Sequence, residues 1–129
     1  MAKVYQIPAD PELWEIPKIL IVLGNNIAKL TKQVARYQAR AGFLEAAYKR
    51  AVAKAKVVNK GAGNQELIKS MAEIDPTVVV LANRLEIAEA KLTLAKGELD
   101  GYDAQFISMR KLVEVKKMER ANAGTAGEI

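Results

Sequence analysis

The chain has 129 residues, half of them hydrophobic, with no cysteine, no histidine and a formal net charge of +5. That length suits one folded domain rather than two, and the missing residue types remove disulfides, thiolate zinc sites and cysteine nucleophiles. The longest apolar run, Ile19 to Leu23, is far short of the roughly 20 residues of a membrane span. With no signal-peptide pattern at the start, no membrane partner and a cytoplasmic location are expected.

Pro8, Pro11 and Pro17 limit residues 1–22 to an arm with about one helical turn around Glu12 to Ile16. Trp14 is expected to dock this arm on the rest of the chain. From Leu23 the apolar residues alternate in steps of four and three: Leu23, Ile27, Leu30, Val34, Tyr37, Ala41, Leu44, Tyr48, Ala51, Ala55 and Val58. Such a heptad seam predicts a helix over 23–59, weakest at Gly24 and Gly42 and ended by Asn59, Gly61, Gly63 and Asn64.

Asn64 is a candidate N-cap for a short amphipathic helix over 65–74, and Asp75-Pro76 joins a cap residue to a proline at the first helical position. The helix that starts there, over 76–118, carries a second seam through Val78, Leu81, Leu85, Ala88, Leu92, Ala95, Leu99, Tyr102, Phe106, Met109 and Val113, broken at Lys116. Residues 121–129 are small and polar and read as a disordered tail. Two long helices joined by about fifteen residues fold back with their seams facing, which predicts an all-α fold: an antiparallel α-hairpin domain over 23–120.

The second long helix carries a further apolar stripe, Val80, Ile87, Leu94 and Val115, offset from its seam. One partner helix cannot cover both faces. Unless the arm and the short helix cover the stripe, it predicts a homo-oligomer, as a bundle or ring.

The inventory for catalysis is thin. Ser70 and Ser108 are the only serines, and neither sits in a nucleophile-elbow pattern. Acid pairs such as Glu86 with Glu89, or Glu98 with Asp100, read as solvated helix faces, since di-metal helical bundles set histidine beside glutamate. Binding and assembly, without enzyme activity, metal or cofactor, are therefore expected.

Charge is segregated along the chain. Lys29 to Lys60 holds nine bases against one acid, Glu45, whereas Glu66 to Asp103 holds eight acids against four bases. Lys29, Arg36, Phe43 and Arg50 share one heptad position, with Arg40 and Lys54 at the neighbouring one, so a basic stripe with one aromatic in it runs beside the seam. A positive surface with a ring able to stack a base suits single-stranded nucleic acid without sequence readout. Within the hairpin, the acidic stretch from Glu86 to Asp103 would run alongside Arg40 to Lys56 and could neutralise it. At the other end, Lys29, Lys32 and Arg36 would face Arg110, Lys111, Lys116, Lys117 and Arg120, and such like-charge crowding favours an anionic partner. RNA or an acidic protein surface fits this charge pattern as well as DNA does.

A basic helix ending in Ala53-Lys54-Ala55-Lys56-Val57, a glycine-rich break, and a second long helix with Gly97-Glu98-Leu99-Asp100 and Met109-Arg110 resembles phage recombination mediators of the UvsY type over residues 20–118. In that family a Lys-Ala-Arg element serves single-stranded DNA binding. It maps here onto Lys54 and Lys56, with lysine in place of the family's arginine, which keeps the charge but loses the planar guanidinium. The resemblance implies a ring-shaped homo-oligomer that binds single-stranded DNA and helps load a RecA-like recombinase against a single-strand-binding protein, in the host-cell cytoplasm. The alternatives are a structural or scaffolding coiled-coil phage protein and a small inhibitor that binds an acidic protein surface.

Overall fold

The structure, a computed structural model, describes residues 6–127. It is all-α, with the long helices in a hairpin-like arrangement. Helix α1 spans Ile16–Val58, α2 spans Gln65–Glu73 and α3 spans Pro76–Gly127, with a single 3₁₀ turn at Lys60–Ala62. No strand occurs among the described residues.

The breaks fall where the local chemistry puts them. Asn59 closes α1: its side-chain amide donates to the Ala55 carbonyl at 2.7 Å, and its backbone N–H donates to the same oxygen at 3.0 Å. Gly63 then adopts φ 82°, a left-handed conformation that costs glycine little and other residues more. Asn64 caps α2, its side-chain oxygen accepting from the Glu66 N–H at 2.9 Å. Asp75 caps α3, with Oδ1 accepting from the Thr77 and Val78 N–H groups at 3.0 and 3.2 Å. These bonds satisfy donors that a helix start otherwise leaves open.

The ends of the long helices differ from the sequence-based expectation. The arm predicted over 1–22 gives way to helix at Ile16, because Pro17 lies in the first turn, where a missing N–H breaks no helical hydrogen bond. The tail predicted as disordered from 121 is helical as far as Gly127, consistent with the helix propensity of Ala121, Ala123 and Ala126. Residues 128 and 129 lie outside the described residues. Trp14, predicted to dock the arm, is 75% exposed. Pro11, Ile16 and Ile19 are the residues buried in this stretch.

Packing groups the chain into two compact units. The central unit is Lys32–Lys96, and the terminal unit joins Met1–Thr31 to Gly97–Ile129. Long helices touch only what lies beside them, so contacts stay local along their length.

In the central unit Ala41 and Leu44 of α1 are buried with Ala88 of α3, and Leu81, Leu85 and Leu92 pack against them. A second cluster joins Ala55, Ala72 of α2 and Val78, bordered by Tyr48, Ala51 and Val52. All eleven predicted seam residues of α3 are buried or half-buried, as are ten of the eleven on α1. The exception is Val58, 75% exposed at the last position of α1.

In the terminal unit Ile16, Ile19 and Leu23 are the buried centre. Ile7 of the arm lines a groove with Val22, Leu23 and Tyr102. Lys116, the break in the second seam, is partnered by Asp10 of the arm at 3.3 Å, with 19% of the lysine side chain exposed. The arm thus supplies the carboxylate that lets a lysine occupy a seam position.

Candidate nucleic-acid interface

On the α1 stretch of the central unit, every seam position except Val58 turns inward, which leaves the outer positions to solvent. Arg36, Arg40, Phe43, Arg50 and Lys54 are all exposed there. Arg36, Phe43 and Arg50 follow at seven-residue steps, about 10 Å apart along the helix, and Phe43 is 67% exposed. An aromatic of that size left in water between two arginines adds nothing to the core and presents a free face for stacking.

Lys56 stands apart from the stripe. It lines a concavity of about 480 Å³ with Gln65, Glu66, Ile68 and Lys69 at the start of α2. Two residues of helix separate it from Lys54, about 200° of rotation, so the two lysines of the Ala53–Val57 element serve different surfaces. Lys29 is exposed and belongs to the terminal unit.

The neutralisation that the acidic stretch could have supplied is not found in the central unit. Among the described residues two ion pairs form: Lys49 with Glu45 at 3.2 Å, and Lys116 with Asp10 at 3.3 Å. The first removes the one acid on the basic stretch of α1 by pairing it within its own helix. Among the described residues, no carboxylate lies within ion-pair distance of Arg36, Arg40, Arg50 or Lys54.

Helix rotation gives the reason. The α1 residues Arg40 and Lys54 occupy the flank just before the seam in each heptad, and the corresponding flank of α3 carries Arg84 and Lys91. Arg40 therefore shares a groove with Arg84 and Lys91, which Tyr37, Ile87 and Ala88 also line. Glu86 and Glu89 lie at other helical positions, and neither lines this groove. The signal for Arg84 and Lys91 was present in the sequence as heptad position, masked by their place in a net-acidic stretch.

Tyr37, Tyr48, Tyr102 and Phe106 are half-buried on the seams, which leaves Phe43 as the exposed ring of the stripe. The Tyr37 hydroxyl accepts from the Gln33 side-chain amide at 2.9 Å. On α3 of the central unit, Val80, Ile87 and Leu94 are 47, 58 and 69% exposed.

Among the described residues no group of three or more acids could hold a metal ion. No helix there is long and apolar enough to cross a membrane. No family model, no curated protein and no solved structure matches this chain.

Proposed function

We propose that the protein binds single-stranded DNA through the outward stripe of α1, without sequence readout, and does so as a homo-oligomer in the manner of a phage recombination mediator that helps load a RecA-like recombinase. The observation that carries the DNA-binding reading is the row of Arg36, Arg40, Arg50 and Lys54, exposed and unpaired, with Phe43 exposed in its midst. Like charges held this close repel one another, and a phosphodiester backbone relieves the repulsion while releasing its own counterions. Phe43 supplies a platform on which any base can stack, which suits a sequence-tolerant binder.

Assembly rests on Val80, Ile87 and Leu94, an apolar row that the chain itself leaves in water. The link to recombinase loading rests on the resemblance over residues 20–118, and its partners would be a RecA-like recombinase and a single-strand-binding protein. A scaffolding coiled-coil protein would share the assembly and lack the binding.

The test is a comparison of the native chain with Arg36→Ala/Arg50→Ala for binding of a labelled oligo-dT and of a mixed-sequence strand. Loss of affinity for both strands alike, with helicity and mass unchanged, supports the reading. Equal binding by the two proteins contradicts it.

A further inference from the structure

Beside the outward stripe, Arg40 borders a groove of the central unit with Tyr37, Arg84 and Lys91. It has a volume of about 140 Å³, and its lining holds three cations and no carboxylate. On the scale of liquid water that volume holds about five molecules, enough for one phosphate group with part of its hydration. Its cations come from both long helices: Arg40 from α1, and Arg84 and Lys91 from α3. Holding them on one flank is unfavourable without an anion, and neither of the two ion pairs among the described residues involves any of them.

We infer that this groove seats a phosphate of the bound single strand, so that the strand runs along the flank shared by α1 and α3 instead of following α1 alone. The inference rests on the proposed DNA binding and adds two residues of α3 to it. Arg84 and Lys91 bring charge to the phosphate from one helix and Arg40 from the other, and bidentate contact is open to either arginine. Tyr37 borders the groove with its hydroxyl oxygen already accepting from Gln33, so its own proton is available to donate to a phosphate oxygen.

The consequence is quantitative. Each phosphate neutralised on a single strand contributes about −0.7 to the slope of log affinity against log salt, so losing the one phosphate contact by removing Arg84 and Lys91 together lowers the magnitude of the slope by about 0.7. At 0.15 M salt that one contact amounts to roughly a fourfold change in affinity.

The experiment is fluorescence anisotropy with labelled oligo-dT over a salt series, on the full chain and three variants: Arg84→Ala/Lys91→Ala, the charge-preserving Arg84→Lys/Lys91→Arg, and Arg36→Ala/Arg50→Ala. The inference expects the alanine pair at Arg84 and Lys91 to lose about fourfold and flatten the slope, with helicity by circular dichroism unchanged and the charge-preserving pair retaining most of the affinity. If that alanine pair binds like the native chain while Arg36→Ala/Arg50→Ala is weakened, the groove is overturned and the stripe on α1 stands. If both pairs at Arg84 and Lys91 lose affinity equally, charge is not the cause and the inference fails. If the native chain binds no strand at low salt, the proposed function fails, and the groove as a nucleic-acid seat fails with it.

Discussion

A Leu94→Glu change tests assembly where the outward face of α3 is most exposed. Leu94 is 69% exposed and Ile87, one heptad earlier, is 58% exposed. Full burial of such a side chain gives about 1.5–3 kcal/mol, so covering what each leaves in water contributes about 1–2 kcal/mol. Glutamate at 94 forfeits that share and places an unpaired carboxylate in the interface, a penalty of about 3–5 kcal/mol when one charge is buried without its partner. The combined loss of about 4 kcal/mol or more weakens self-association about a thousandfold. Light scattering across a concentration series reads this directly: the native chain stays assembled at concentrations where Leu94→Glu dissociates. The single chain loses little, since a surface substitution away from the core shifts stability by about 0.5 kcal/mol or less. A variant with the same mass as the native chain at every concentration, or a native chain that is monomeric throughout, refutes the assignment of this face.

Asp75→Ala removes the acceptor of the Thr77 and Val78 N–H groups and is expected to cost about 1–2 kcal/mol in denaturant unfolding. Lys116→Leu restores the seam at a position where 19% of the side chain is exposed and gives up an ion pair whose Asp10 partner is 90% exposed. Because such a pair contributes about 1 kcal/mol at most, the thermal midpoint is expected to rise. Phe43→Ala leaves stability unchanged, since the ring is 67% exposed, but weakens oligo-dT binding in anisotropy by about 1–3 kcal/mol through the lost stacking.

Seams and caps were legible because they depend on local spacing. The alternation from Val78 to Val113 and the Asp75-Pro76 start follow from helical geometry and hydrogen-bond chemistry alone, and the structure places both as read. Three features were not legible for reasons outside local pattern. The start at Ile16 turned on whether Pro17 would fall in a first turn or an interior one, which depends on where the preceding Glu12–Glu15 turn directs the chain. Trp14 looked like an anchor by residue type, yet Pro11, Ile16 and Ile19 fill the available core. The division at Thr31/Lys32 and Lys96/Gly97 reflects packing across helices and has no marker along either one.

At the candidate interface, exposure of the Arg36–Lys54 stripe was readable from the heptad wheel, because commitment of the seam leaves only the outer positions. Its freedom from ion pairs was not. Net charge by segment set Arg40 against an acidic stretch, whereas the facing flank of α3 presents Arg84 and Lys91. Rotation about the helix, rather than composition along it, decides which charges meet.

The most direct measurement is anisotropy of a labelled oligo-dT with the full native chain, repeated across salt concentrations. With Arg36, Arg40, Arg50 and Lys54 each neutralising a phosphate, log affinity should fall against log salt with a slope of about −3. Absence of binding at low salt, or binding that salt leaves unchanged, would contradict the account.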